Sequence, residues 1–150
     1  MAARRGEICK EIELSETGIG RRPRLLVVDD DSDASGLVLR VALRCGYDAV
    51  SLVEITTLDS VLRSIQPDVL TLDLCMPKMD GIEALSHLKA LGFKGHLIII
   101  SGQDSFLRKQ AKDLALTYGL NVADEMGKPI DLTALRGLLT RLGRERDQCA

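Results

Sequence analysis

The sequence predicts an α/β domain with a doubly wound, five-stranded parallel sheet that is covered by helices on both faces. Five short aliphatic runs alternate with five longer segments whose apolar residues recur three and four positions apart, and this alternation is typical of parallel sheets. The first of these runs, residues 24–28, is unbroken, as in a strand that is buried on both faces of a parallel sheet. The chain has 150 residues, which suits a single domain of this kind.

The predicted strands are short, and turns or polar residues follow them. They comprise residues 24–28, 47–53, 68–73, 97–100 and 121–126. The last run is the least apolar, which favours a position at the edge of the sheet.

The first two helices have clear end signals. Ser32 or Asp33 is the expected N-cap of the first helix, because short polar side chains accept hydrogen bonds from the first free amides. Gly46 is expected to end this helix, since glycine readily adopts the left-handed conformation found there. The second helix is expected to close before Pro67.

Three further helices are predicted downstream. The third ends at Gly92, the fourth spans about 104–118 and the last spans about 131–142. The spacing of apolar residues predicts which side chains of the five helices face the core. These residues are Ala34, Leu37, Val38, Val41, Ala42, Cys45, Leu58, Val61, Leu62, Ile65, Ile82, Leu85, Leu88, Leu91, Leu107, Ala111, Leu114, Ala115, Leu132, Leu135, Leu138, Leu139 and Leu142.

The ends of the chain differ in character from its middle. Residues 1–23 carry charges of both signs and three glycines, and we predict a leader without stable structure. Residues 24–142 form the predicted domain, and residues 143–150 are predicted to be a polar tail.

Composition excludes several classes of function. A net charge of −2 argues against a basic surface for nucleic-acid phosphates. The chain lacks an apolar run of the roughly 20 residues that a transmembrane helix needs, and its basic start is not followed by a signal-peptide core. The four cysteines are far apart in the sequence, which argues against a disulfide framework or a zinc site. We therefore expect a cytoplasmic protein with reduced thiols.

Polar residues collect where the predicted strands end. Asp29 and Asp30 follow the first strand, Asp73 ends the third, Ser101 follows the fourth, and Lys128 lies just beyond the fifth. Because ligands of open parallel sheets bind beyond the carboxyl ends of the strands, we expect these five side chains to share one site.

Such a site brings like charges together. Two carboxylates about 4 Å apart repel each other by roughly 4 kcal/mol at an effective dielectric constant near 20. The cluster therefore predicts a raised carboxylate pKa, a bound cation, or both. Oxygen ligands with room for water favour Mg²⁺ over Zn²⁺.

Four segments of the chain resemble the receiver domain of bacterial response regulators. They are residues 25–30 (LLVVDD), residues 67–81 (PDVLTLDLCMPKMDG), residues 98–102 (IIISG) and the pair Lys128-Pro129. The resemblance covers residues 24–142. It implies the flavodoxin-like (βα)5 fold of the CheY-like superfamily, with strand order 2-1-3-4-5.

The resemblance implies a role for each acidic residue. Asp73 is similar to the phosphoacceptor, which takes a phosphoryl group from a phosphohistidine on a partner kinase. Asp29 and Asp30 resemble the acidic pair that holds Mg²⁺, with Asp73 and the backbone carbonyl of Cys75 as the other protein ligands.

The resemblance also implies roles at the ends of the fourth and fifth strands. Ser101 is similar to the hydroxyl residue that bonds a phosphoryl oxygen, and Lys128 to the lysine that pairs with the phosphoryl group. The peptide bond before Pro129 is usually cis in this family. Glu125 departs from the pattern, because most receivers carry Tyr or Phe there, and burying a carboxylate in an apolar slot is costly.

The implied function is two-component (phosphorelay) signalling. A sensor histidine kinase or phosphotransfer protein phosphorylates the domain, and the mark changes a protein-interaction surface on strands 4 and 5 and the last helix. We expect no enzyme activity beyond self-catalysed phosphoryl transfer and slow autodephosphorylation, and no nucleic-acid binding or membrane insertion. Alternatively, the chain is a receiver fragment of a larger regulator with a cyclic-dinucleotide phosphodiesterase or another output domain.

Two other protein classes share the architecture or the nucleophile. In a flavin-binding electron carrier, the acidic run Asp29-Asp30-Asp31 would repel the cofactor phosphate, and aromatic residues are only 3% of the chain. A small Mg²⁺-dependent phosphatase of the haloacid dehalogenase type also uses an Asp nucleophile. Its second Asp, two residues later, is replaced here by Cys75.

Overall fold

Strands and helices alternate along the chain as the sequence predicts. The structure is a computed structural model that describes residues 21–52, 54–76, 81–102 and 104–149. The strands are β1 (Arg24–Val28), β2 (Asp48–Leu52), β3 (Val69–Leu72), β4 (His96–Ser101) and β5 (Asn121–Gly127). The helices are α1 (Ser32–Arg44), α2 (Leu58–Ile65), α3 (Gly81–Ala90), α4 (Ser105–Thr117) and α5 (Leu132–Cys149), and a 3-10 turn (Ile55–Thr57) precedes α2.

The five strands form one parallel sheet in the order β2-β1-β3-β4-β5, which confirms the predicted fold and topology. The strand order reverses beside β1, since the chain passes from β1 to β2 on one side and later returns to β3 on the other. Val28 of β1 is level with Leu72 of β3. The residues that follow these two strands therefore leave the sheet at the same height.

The core has two layers, one on each face of the sheet. Alternate strand residues point to opposite faces. On one face, strand residues such as Leu26 and Leu70 pack against α2, α3 and α4. On the other face, residues such as Leu25 and Ile98 pack against α1 and α5. Helices thus cover both faces, as the unbroken apolar strands predict.

The N-cap of α1 is one residue earlier than expected. The cap is Asp31, not Ser32 or Asp33, because its Oδ1 accepts hydrogen bonds from the amides of Asp33 at 3.0 Å and Ala34 at 3.3 Å. A carboxylate there also stabilises the positive end of the helix. Gly46, with φ of 88°, follows the helix end as predicted.

Helix α5 continues to Cys149, well beyond its predicted end near Leu142. The predicted polar tail is therefore largely helical. Arg141 and Glu145 form an i,i+4 ion pair at 3.7 Å along this segment, and Arg146 Nε lies 3.4 Å from Asp68 Oδ1. Apolar spacing alone missed the extension because its contacts are polar. Residues 1–20 of the predicted leader lie outside the described residues.

Several apolar residues predicted to face the core are exposed. They are Leu37, Ile82, Leu107 and Leu132. The last three lie in the first turn of α3, α4 and α5, which follow the carboxyl ends of β3, β4 and β5. Helical spacing identifies the correct stripe, but it does not show how deeply each residue of the stripe is buried.

Among the described residues, no helix combines the length and the apolar character that crossing a bilayer requires.

Candidate functional site

Three carboxylates meet at the carboxyl edge of the sheet, as the sequence predicts. Asp29 and Asp30 follow β1, and Asp73 follows β3. The amide of Asp73 donates to the carbonyl of Val28 at 2.9 Å, which carries the β1–β3 ladder one residue past the strand. Each of the three aspartates offers a carboxylate oxygen within 4.8 Å of the others. Asp29 and Asp73 are buried, whereas Asp30 is exposed, so the cluster opens to solvent on the side of Asp30.

Lys128 brings a positive charge to the two buried carboxylates. Its Nζ lies 3.0 Å from Asp29 Oδ2 and 3.4 Å from Asp73 Oδ2. The Lys128-Pro129 peptide bond is cis, as the family resemblance implies. The ammonium group therefore bridges two like charges that would otherwise repel each other.

The two buried aspartates are oriented in the same way by their own backbone turns. Asp29 Oδ1 accepts a hydrogen bond from the amide of Asp31 at 2.9 Å, and Asp73 Oδ1 accepts one from the amide of Cys75 at 3.2 Å. In both cases the acceptor and donor are two residues apart, which is the Asx-turn arrangement. One oxygen of each carboxylate is thus held by the chain, and the other faces Lys128.

Burial and neighbouring charges shift the pKa of two of these groups. Burial raises the pKa of Asp73 above its ordinary value, and the negative charge of Asp29 raises it further, against the opposing effects of the Cys75 amide and Lys128. The pKa of Lys128 is also raised. Burial acts against this shift, but the hydrogen bond to Asp29 and the charges of Asp29 and Asp73 together outweigh it. The pocket therefore disfavours additional negative charge and favours positive charge.

Ser101 and Cys75 lie at the same edge of the sheet. Ser101 is fully buried at the end of β4, level with Gly127, the residue before Lys128. The backbone here is close to Lys128, since a Cβ built on Gly102 would lie 3.9 Å from the Lys128 Cβ. Cys75 contributes its amide to Asp73, while the metal-ligand role of its carbonyl is implied by the family resemblance. Residues 77–80 of the motif lie outside the described residues.

The donor set fits Mg²⁺. The three clustered ligand atoms are all carboxylate oxygens, which are ligands that this hard cation prefers. The exposed side of the cluster at Asp30 leaves room for the waters that Mg²⁺ usually retains. A divalent cation would also relieve the repulsion that raises the pKa of Asp73.

Sequence reasoning missed one residue beside the site. Arg108 of α4 extends toward the end of β4, and its Nη1 donates to the carbonyl of Ser101 at 3.4 Å. The sequence signal is weak, because it consists of a basic residue shortly after the serine, with no motif around it. Only the packing of α4 on the sheet brings the two together.

Comparison with known proteins identifies the family. The family model of the response regulator receiver domain matches residues 25–140. The chain belongs to this family. Receiver domains are signalling domains of two-component systems, which favours this interpretation over a flavin carrier or a phosphatase.

Two curated relatives of this receiver domain are longer proteins. A protein-glutamate methylesterase/protein-glutamine glutaminase of Rhodopseudomonas palustris (strain BisB5) is 36% identical over 117 residues, covering 71% of this chain and 27% of the relative. Response regulator MprA of Mycobacterium ulcerans is 31% identical over 137 residues, covering 85% and 54% respectively. The chain therefore spans only part of the length of either relative.

Solved structures give the same result. A response regulator from Colwellia psychrerythraea matches with a TM-score of 0.68 and 33% identity, over 82% of this receiver domain chain and 98% of the other. The N-terminal domain of a Wolinella succinogenes protein matches with a TM-score of 0.73 over 85% and 99% of the two chains. At 24% identity, this second match supports the fold alone.

Proposed function

We propose that this receiver domain is a Mg²⁺-dependent phosphoacceptor, in which Asp73 takes a phosphoryl group from a phosphohistidine. The donor is a sensor histidine kinase or a phosphotransfer protein. The observation that carries the proposal is the shared contact of Lys128 with Asp29 and Asp73, beside the exposed carboxylate of Asp30. This arrangement provides a nucleophile, a charge partner for the phosphoryl group and a donor set for a cation.

The chemical step is a displacement at phosphorus. A carboxylate oxygen of Asp73 attacks the phosphorus, the P–N bond of the phosphohistidine breaks, and its electron pair returns to the imidazole nitrogen. Asp73 Oδ1 already accepts a hydrogen bond from the Cys75 amide, which fixes the plane of the carboxylate. Oδ2 lies on the side of Lys128, where the incoming charge can be stabilised.

Charge balance explains why the other residues are needed. A phosphoryl group carries negative charge into a pocket that already holds two buried carboxylates. Asp29, Asp30, Asp73 and the Cys75 carbonyl would hold Mg²⁺, which when bound neutralises charge on the carboxylates and on the phosphoryl oxygens. Lys128 then shifts from the carboxylates to a phosphoryl oxygen.

The phosphoryl group can act as a switch through its new contacts. An acyl phosphate carries a charge of about −1.5 to −2 and strong acceptor oxygens. The Ser101 hydroxyl donates to one of these oxygens, and this pull alters the neighbouring surface of β4, β5 and α5. We propose that a downstream protein or domain recognises this surface in the cytoplasm, without nucleic-acid contact by the receiver itself. A larger regulator with its own output domain is the alternative, and the greater lengths of the curated relatives favour it.

The proposal is tested by phosphorylation with acetyl phosphate and Mg²⁺, followed by intact-mass measurement and peptide mapping. We expect one phosphoryl group on the wild-type protein, none on Asp73→Asn, and none when EDTA removes the cation. Asp33→Asn is the matched control, because Asp33 is exposed in the first turn of α1 and lies outside the cluster. Modification of another residue, or persistence of the label in Asp73→Asn, would reject the assignment.

A further inference from the structure

The side chain of Glu125 on β5 holds a polar atom that the proposed chemistry does not use. Its Oε2 is shielded from solvent and has no hydrogen-bond partner among the residues that the structure describes. A buried carboxylate oxygen without a donor costs free energy, so a nearby donor that can reach it has a physical reason to do so.

The guanidinium of Arg108 carries donors that lie against the same strand, β5. An ideal Cβ on Gly127 would lie 3.2 Å from Arg108 Nη1 and 3.4 Å from its Cζ. The guanidinium therefore lies directly against the backbone of β5, in space that a side chain at position 127 would occupy. From there Nη1 donates to the carbonyl of Ser101 at 3.4 Å, which is a long hydrogen bond.

Glu125 and Arg108 lie on the same face of the sheet. A bulge shifts the β4–β5 register after Leu97, but from Ile98 onward the pairing is regular, with Glu125 level with Ile99 and Gly127 level with Ser101. Residues two apart in a strand share a face. Met126, which lies between them, packs with the core on the side of α1 and α5. The Glu125 side chain and the Arg108 guanidinium therefore both lie on the α4 side of β5.

We infer that Arg108 is a positioning residue that moves from the carbonyl of Ser101 to the carboxylate of Glu125 when Asp73 is phosphorylated. The inference rests on the proposed function, since the Ser101 hydroxyl must be drawn to the phosphoryl group. Movement of Ser101 lengthens a contact that is already long and frees Nη1 for the buried Oε2. The resulting ion pair fastens α4 to β5 in the phosphorylated state.

The first turn of α4 would transmit this change to the surface. Phe106 and Leu107 directly precede Arg108, and their exposed fractions are 66% and 42%. A new bond from Arg108 to β5 moves or orders this turn, and with it two apolar side chains that a partner protein can contact.

The test is a double-mutant cycle on the affinity for beryllofluoride with saturating Mg²⁺, measured by NMR titration of the full chain. A pair that forms only in the activated state strengthens this affinity by linkage. Glu125→Gln is expected to weaken beryllofluoride binding about fivefold in the wild-type background, because it removes one charged hydrogen bond. In the Arg108→Gln background it is expected to have no further effect, since that bond is already absent. Arg108→Lys should retain part of the coupling, since it keeps the charge.

Two neighbouring substitutions are matched controls. Asp124→Asn makes the same charge change at the adjacent, exposed position of β5, and Lys109→Gln does so next to Arg108 on α4. Both are expected to leave the beryllofluoride affinity unchanged. Additive effects of Glu125→Gln and Arg108→Gln, with normal binding by the wild type, would overturn the ion pair and leave the phosphoacceptor proposal standing. If the wild type does not bind beryllofluoride and is not phosphorylated on Asp73, the phosphoacceptor proposal fails and the ion pair fails with it.

Discussion

The two ends of β3 each carry an aspartate, and their surroundings differ sharply. At the amino end, Asp68 Oδ2 accepts the amide of Arg24 at 2.8 Å, while its Oδ1 lies 3.1 Å from Arg21 Nη2 and 3.4 Å from Arg146 Nε. At the carboxyl end, Asp73 is buried beside a second carboxylate, Asp29, and both share the ammonium of Lys128. Three groups donate to the first aspartate, whereas the second has the Cys75 amide and shares the Lys128 ammonium with Asp29.

The difference separates a structural carboxylate from a reactive one. Asp68 Oδ2 accepts a hydrogen bond from Arg24 of β1, and its Oδ1 pairs with Arg146 of α5. The charge of Asp68 therefore stabilises the fold by linking these two elements to β3. Asp73 adds to a local excess of negative charge, and burial together with Asp29 raises its pKa. A site with excess negative charge is costly to the folded protein, but it favours the binding of a cation.

The largest change in stability is expected from Asp68→Asn. Loss of the charge weakens the contacts to both arginines, and we expect the free energy of unfolding to fall by about 2 kcal/mol, as for other hydrogen bonds to charged groups. Urea unfolding followed by circular dichroism measures the change. Asp113→Asn is the control, because Asp113 is exposed on α4, and it is expected to change stability by less than about 0.5 kcal/mol. A similar, small effect at Asp68 would contradict its structural role.

A change of Mg²⁺ affinity is expected from Lys128→Ala. The ammonium contacts Asp29 Oδ2 and Asp73 Oδ2 and so competes with the cation for two carboxylates. We expect Mg²⁺ binding to be retained and to tighten by up to about tenfold, or ~1.4 kcal/mol. Isothermal titration calorimetry measures this affinity. Loss of Mg²⁺ binding would show that Lys128 is instead needed to form the cation site.

In the same variant, we expect beryllofluoride to leave the NMR shifts of α5 unchanged. Shift changes as large as those of the wild type would show that Lys128 does not couple the site to α5.

In contrast to Asp68→Asn, the substitution Asp73→Asn should stabilise the folded protein, and the size of this effect should depend on pH. The folded-state pKa of Asp73 is raised above its ordinary value by burial, so ionisation at neutral pH destabilises the metal-free fold. Asp73→Asn is therefore expected to be more stable than the wild type at neutral pH without Mg²⁺. This advantage should shrink as the pH falls through the raised pKa, because the wild-type carboxyl is then also neutral. Unfolding curves at several pH values test this, and an advantage that does not depend on pH would contradict it.

The smallest expected change in stability is the difference between substitutions of two neighbouring arginines, Arg21 and Arg22. Arg21 is largely buried where it contacts Asp68, whereas the side chain of Arg22 is 72% exposed and lies 3.7 Å from Asp48. We expect Arg21→Ala to lower the free energy of unfolding by about 1 kcal/mol and Arg22→Ala by less than about 0.5 kcal/mol, since exposed pairs are weak. Equal effects in urea unfolding would remove the distinction.

Short-range sequence patterns predicted which strands and helices form, but they were less accurate about the residues at which the helices begin and end. Aliphatic runs identified the three central strands, β1, β3 and β4, because these strands are buried on both faces. The edge strands β2 and β5 are partly exposed and have weaker patterns, but the alternation with helices still located them. The N-cap at Asp31 was missed because Ser32 and Asp33 are chemically equivalent candidates, and the choice depends on backbone angles. The polar end of α5 was missed because its stability comes from ion pairs and from Asp68, a residue far away in the sequence.

Residue patterns and motifs were enough to predict the parallel α/β fold and the clustering of Asp29, Asp30 and Asp73 at one edge of the sheet. Parallel strands all end at the same edge of a sheet, and the strand order that the family resemblance implies places β1 beside β3. Which charged groups lie beside which donors depends on the packing of the helices on the sheet. The bridging of two carboxylates by Lys128, and the position of Arg108 over Gly127, depend on side-chain directions across separate elements, which short-range sequence patterns do not encode.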